Sequence, residues 1–130
     1  MERTSPTPKT VLVIDDEAAI VEIIQTVLEG EGYRVYGTIS PLEGVEIYRQ
    51  HWPSIALVIS DFRMPQIYGD EVLKRLRCIN PKVALLLVTG SKEFLPTDFL
   101  KQGLRGLVEK PFRLNELVKQ VNESVASVAL

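Results

Sequence analysis

The sequence predicts a three-layer α/β domain: a doubly wound parallel sheet of five strands in the order 2-1-3-4-5, with helices on both faces. Short apolar runs rich in β-branched residues alternate with amphipathic stretches of helical period, the pattern of serial βα units. The runs Val11–Ile14, Ile55–Ser60 and Val83–Val88 are too apolar to keep one face in water, so helices must cover both sides of the sheet. Two runs end in acid, Asp15-Asp16-Glu17 after Val11–Ile14 and Asp61 after Ile55–Ser60. Right-handed crossovers leave few topologies. The one that makes strands 1 and 3 neighbours brings these carboxylates together at the carboxyl edge, where open α/β sheets hold ligands.

Each element has a local signal. Residues 1–9 are polar and hold Pro6 and Pro8, so they read as a flexible lead-in to a folded domain over 10–126, with 127–130 as a tail. Strand 1 follows Thr10. A helix over Glu17–Glu29 presents Ile20, Ile23, Ile24, Val27 and Leu28, and Gly30 and Gly32 stop it. Tyr33–Gly37 is a short strand. Ser40 and Pro41 are an N-cap and a first-turn proline. The helix they begin carries Leu42, Val45 and Tyr48 inward and ends before Pro53. After strand 3, a loop with Pro65 and Gly69 leads to a helix with Val72, Leu73 and Leu76 on one face, closed by Asn80-Pro81. Strand 4 is Val83–Val88. A helix over Glu93–Gln102 tolerates Pro96 only in its first turn. Leu107-Val108 is a short fifth strand, and a last helix from Arg113 presents Leu114, Leu117, Val118, Val121 and Val125.

Composition narrows the setting. The 130 residues carry a net charge of −2, with 45% hydrophobic and 25% charged residues, ordinary values for one globular domain. No basic stripe invites nucleic acid or an anionic membrane. The longest strictly apolar stretch, Val83–Val88, is far below the ~20 residues of a spanning helix. The N-terminus lacks a signal-peptide core. Cys78 is alone, which rules out an internal disulfide and suits a reducing cytosol. A soluble cytoplasmic protein is expected.

The strand ends carry the chemistry. Taken alone, Asp15, Asp16 and Glu17 suit the first turn of a helix through its dipole. With Asp61 at a second strand end they form a cluster whose members cannot all stay ionised uncompensated. A hard cation such as Mg²⁺ (or Mn²⁺) compensates; it takes oxygen ligands and is usually shared with substrate phosphate. Thr89 ends strand 4 and Lys110 follows strand 5, on the same edge. A hydroxyl donor and an ammonium suit a phosphoryl group. Each alone reads as a strand-end residue or a surface charge; the ring of them describes a site for Mg²⁺ and a phosphoryl group.

The segments Val13-Ile14-Asp15-Asp16-Glu17, Asp61-Phe62-Arg63-Met64-Pro65, Gly69, Thr89-Gly90 and Lys110-Pro111-Phe112 resemble the receiver domain of two-component response regulators, in order and in spacing, over about residues 10–126. The resemblance implies a flavodoxin-like (βα)5 fold. It implies that Asp61 accepts a phosphoryl group from a phosphohistidine on a histidine kinase or histidine phosphotransfer protein. It makes Asp16 and Asp61 direct Mg²⁺ ligands, with Asp15 acting through water and the Arg63 backbone carbonyl completing the shell. Lys110 would pair with Asp61 and then with the phosphoryl oxygens. Thr89 would turn its hydroxyl to the phosphate, and a cis peptide would precede Pro111. A monomer or weak dimer with an unidentified downstream effector is expected, without direct binding to nucleic acid or membrane.

The chain departs from the family pattern at three places. Leu107 stands where many receivers carry an aromatic ring that turns inward with the threonine. Leu104-Arg105-Gly106 lacks the acidic pair of a common dimer face, and Gly90 replaces a frequent alanine. His51 reads as a charge at a helix C-terminus, Cys78 as a small helix residue, and Ile20 as core unless it is exposed enough to meet a helical partner together with Pro111 and Phe112. Three other readings are weaker. A phosphatase of the haloacid-dehalogenase type wants a second aspartate where Arg63 stands. A flavin binder wants a phosphate loop where the acids stand. An interaction module that is never phosphorylated has no need of the acids, Thr89 and Lys110 together.

Overall fold

Five parallel strands form the centre of the structure, a computed structural model that describes residues 8–90 and 95–128. Across the sheet they run β2 (Arg34–Thr38), β1 (Thr10–Ile14), β3 (Ile55–Ser60), β4 (Leu85–Thr89) and β5 (Gly106–Glu109), the expected 2-1-3-4-5 order. The helices are α1 (Ala18–Gly30), α2 (Pro41–His51), α3 (Gly69–Ile79), α4 (Thr97–Leu100) and α5 (Leu114–Val128). A 3-10 turn, Trp52–Ser54, joins α2 to β3.

The two-residue period of the strands divides the core. Val11, Val13, Leu57, Ile59, Leu86 and Val88 pack against α1 and α5. Leu12, Ile14, Val58, Leu85 and Leu87 pack against α2 and α3 with Phe99 of α4. All five residues of β1 are buried, as a central strand covered on both faces requires. At ~25 cal/mol per Å² of apolar surface removed from water, these two layers supply most of the favourable free energy of folding.

The helices are rotated slightly from their predicted phases. In α1 the line Val21, Ile24, Leu28 is buried, while Ile20 is half-buried and Ile23 is 43% exposed. In α2, Gly44 faces the sheet: a Cβ there would lie 2.5 Å from Ile14 Cδ1. That close approach turns Leu42 outward, to 41% exposure, and leaves Val45 and Tyr48 inside. In α5, Leu117, Val121 and Val125 are buried and Leu114 is exposed. The predicted caps of α2 are present, with Ser40 Oγ accepting from Glu43 N at 3.1 Å and Pro41 opening the helix.

The stretch expected as a helix over 93–102 is shorter. Residues 93 and 94 lie outside the described residues, and α4 is a single turn with Pro96 at its N-cap. Proline lacks the N–H for an interior turn, so the helix starts behind it. Strand 4 begins at Leu85, not Val83, and includes Thr89. Among the described residues no helix is long and apolar enough to cross a membrane.

Candidate functional site

The carboxyl ends of β1 and β3 place the acids. Asp15 N donates to Thr38 O at 3.2 Å and Asp61 N donates to Ile14 O at 3.1 Å, so the sheet's hydrogen bonding continues one residue past each strand. The backbone around Asp61 is then clamped. Ser60 Oγ donates to Asp61 O at 2.7 Å, and Gly69 N donates to Phe62 O at 2.7 Å. A Cβ at Gly69 would sit 2.9 Å from both Asp61 O and Phe62 Cα, so this turn closes only over glycine. Phe62 N donates to Asp61 Oδ1 at 2.6 Å, fixing the carboxylate plane and leaving Oδ2 toward the mouth of the site.

Lys110 arrives from β5, its backbone N–H donating to Thr89 O at 2.9 Å, with a cis peptide between Lys110 and Pro111. Its Nζ lies 2.9 Å from Asp61 Oδ2, 2.8 Å from Asp15 Oδ2 and 2.8 Å from Glu17 Oε1. Asp15 and Asp61 are buried and Asp16 is exposed, yet one carboxylate oxygen from each lies within 4.8 Å of the others. Thr89 is fully buried at the end of β4, with Glu109 its register partner in β5. Arg63 is exposed in the loop two residues after Asp61.

One ammonium thus faces three carboxylates. Burial alone would push Lys110 down, but its hydrogen bonds to Asp15, Glu17 and Asp61 hold it above its ordinary value. Asp15 moves the other way for an acid: burial raises it, and its bonds to Lys110 and to Glu17 N recover only part of the cost. The difference follows from sharing, since Lys110 has three carboxylate partners whereas Asp15 shares a single ammonium.

The structure brings together Asp15, Asp16, Asp61 and Lys110 and sets Thr89 on the adjacent strand end. Glu17 belongs with them, and sequence reasoning gave it no role beyond the acidic run. One signal was available: Glu17 occupies the N-cap of α1, where Ser, Thr, Asp or Asn is favoured, and its side chain makes no capping bond. Its carboxylate is turned to Lys110 instead. His51 and Cys78 lie away from the acids; His51 stacks on Tyr36 with ring centroids 4.8 Å apart, and Cys78 is exposed on α3. A groove of about 910 Å³ at the opposite, amino edge, between Tyr36, Trp52 and Lys82, contains none of the site's residues.

Comparison with known proteins gives a consistent answer. A family model described as the response regulator receiver domain matches residues 11–122. The chain is 31% identical over 121 residues to the transcriptional regulatory protein ZraR of Klebsiella oxytoca, covering 92% of this chain and 27% of that protein. It is 31% identical over 112 residues to the response regulator SaeR of Staphylococcus aureus, covering 85% of this chain and 48% of that one. The chain therefore spans less than half the length of these curated relatives. A crystal structure of a response regulator receiver domain protein from Clostridium thermocellum superposes with a TM-score of 0.84 at 30% identity, covering 92% of this chain and 95% of that one.

Proposed function

The chain belongs to the response regulator receiver domain family, a signalling family of two-component systems rather than a classical enzyme family, and on that premise we propose that Asp61 is the residue at which its signal enters. A carboxylate oxygen of Asp61 attacks the phosphorus of a phosphohistidine on a histidine kinase or histidine phosphotransfer protein. The O–P bond forms as the P–N bond breaks, the electron pair stays on the imidazole nitrogen, and the product is an aspartyl phosphate. The observation that carries this reading is the 2.9 Å pairing of Lys110 Nζ with Asp61 Oδ2 inside an acidic cluster at the sheet's carboxyl edge.

Phosphoryl transfer asks mainly for positioning and charge compensation. Phe62 N holds one oxygen of Asp61, so the other is presented in a fixed direction. Lys110 pairs with the nucleophile before transfer and moves to the phosphoryl oxygens after it. The clustered oxygens of Asp15, Asp16 and Asp61 are hard donors that fit Mg²⁺ or Mn²⁺, with the Arg63 carbonyl completing the protein's share. Bound there, the cation would offset charge on the transferring group.

The aspartyl phosphate adds about −1.5 to −2 charges. A full switch from 1:99 to 99:1 requires about 5.5 kcal/mol of differential stabilisation, and one Thr89 hydrogen bond to a charged group offers only ~1.5–3 kcal/mol. Lys110 and backbone amides therefore share the switching energy; water later attacks the phosphorus, the O–P bond to Asp61 breaks, and inorganic phosphate leaves with the Asp61 carboxylate restored. The switched surface then regulates a protein partner.

The test is incubation with acetyl phosphate and Mg²⁺, read by intact mass. One phosphoryl adduct in the wild type, absent from Asp61→Asn, is expected. Persistence of the adduct in Asp61→Asn, or its absence from the wild type, overturns the assignment.

A further inference from the structure

We propose that Glu17 is a positioning residue that parks Lys110 at the mouth of the site while a divalent cation occupies the acids, an inference that rests on the metal reading above. Lys110 Nζ is held by three carboxylates at nearly equal distances, 2.8 Å to Asp15, 2.8 Å to Glu17 and 2.9 Å to Asp61. Two of the three, Asp15 and Asp61, are also members of the oxygen cluster suited to the cation. Lys110 and the cation therefore compete for the same oxygens and repel each other. Glu17 stands outside that cluster, and its side chain is 61% exposed whereas those of Asp15 and Asp61 are 3% and 10% exposed.

The local chain makes Glu17 available for this. As N-cap of α1 its backbone N–H is bound to Asp15 Oδ1 at 2.9 Å, which fixes where the residue sits. Its side chain makes no bond to the helix, so the carboxylate is free to follow the ammonium. When Lys110 yields Asp15 and Asp61, Glu17 is the partner that remains. The ammonium then stays within reach of an incoming phosphoryl group. Without Glu17, Lys110 has nowhere else to pair and stays on Asp15 and Asp61, so the cation meets a stronger competitor.

The experiment is a calorimetric Mg²⁺ titration of the full chain in a double-mutant cycle with Lys110. Glu17→Gln is expected to weaken Mg²⁺ binding by about tenfold in the wild-type background, as befits directly coupled groups. In a Lys110→Met background the same change should cost about twofold, the effect of an exposed charge alone. Equal losses in both backgrounds would reduce Glu17 to a general electrostatic contribution and overturn the proposal. Glu17→Asp keeps the charge but shortens the arm, and does not depend on Lys110→Met folding. Its affinity should fall toward that of Glu17→Gln, and a wild-type affinity overturns the idea. The same proteins treated with acetyl phosphate separate the two levels. A labelled Glu17→Gln with unchanged Mg²⁺ affinity removes only the role of Glu17, whereas an unlabelled wild type removes the phosphoacceptor reading beneath it.

Discussion

Lys110 Nζ lies 2.9 Å from Asp61 Oδ2 although the two residues stand 49 apart in the chain. The contact exists because β4 separates β3 from β5 and every strand points the same way, so both residues leave the sheet at one edge. The consequence is a nucleophile paired with a cation inside a cluster that remains negative overall.

Lys110→Met should destabilise the metal-free protein. It leaves Asp15 and Asp61, both buried, without their shared ammonium. Removing one partner of a buried ion pair costs about 3–5 kcal/mol, and the partial exposure of Lys110 puts the expected loss at the lower end. Urea unfolding with chelator present measures it, and an unchanged midpoint would show that the pairing contributes nothing.

Asp16→Asn should act in the opposite sense. Asp16 is exposed and adds a negative charge to a cluster already in excess over Lys110. Without metal, its removal should stabilise the fold by about 0.5–1 kcal/mol through relief of repulsion. The gain of stability that Mg²⁺ confers on the wild type should shrink in the same variant. Thermal unfolding with and without Mg²⁺ reads both effects.

Alkaline pH should erode the contribution of Lys110. Its folded-state value is raised above 10.5, so the stabilisation is fully present below pH 10.5 and is lost as pH rises toward the folded value. The stability gap between wild type and Lys110→Met should be flat from neutral pH to about 10 and narrow above 10.5 by up to about 1.4 kcal/mol per pH unit. Asp15 has the other sign. Because burial raises it above 3.8, its ionised form is a cost at neutral pH that is relieved as pH falls through the raised value. Asp15→Asn should therefore remove that relief and steepen the acid limb of the stability profile; an identical acid limb would count against this account.

Gly69→Ala should strain the turn under Asp61. Its Cβ would meet Asp61 O and Phe62 Cα at 2.9 Å, and both are backbone atoms that cannot step aside. A loss of about 1–3 kcal/mol is expected, the cost of overpacking. Amide shifts at Asp61 and Phe62 should accompany it in a ¹⁵N spectrum. Wild-type stability with unmoved amides would contradict the clamp.

Tyr48→Phe tests a smaller link between α2 and the end of α3. Tyr48 is 1% exposed and accepts from Asn80 Nδ2 at 3.0 Å through its hydroxyl. Deleting the hydroxyl should cost about 1 kcal/mol, read as a shift of the urea midpoint.

The five strands, their parallel pairing and the meeting of Asp15, Asp16, Asp61 and Lys110 at the carboxyl edge were legible in the amino-acid sequence, whereas the part of Glu17 was not. The unbroken apolar runs Val11–Ile14 and Ile55–Ser60 and the acids at their ends are local signals, and right-handed crossovers carry them into topology. The sequence did not determine the phase of each helix, because several apolar lines on one helix suit the 3.6-residue period equally. Which line wins depends on the approach distance, set at α2 by Gly44 against Ile14 and recorded in the exposure of Ile23, Leu42 and Leu114. Nor did it determine which carboxylates Lys110 holds. Asp15-Asp16-Glu17 are three consecutive acids with equal claims in the sequence. Only the turn from β1 into α1 decides that Asp15 and Glu17 point to the ammonium while Asp16 faces the solvent, because successive side chains at a strand end leave in different directions.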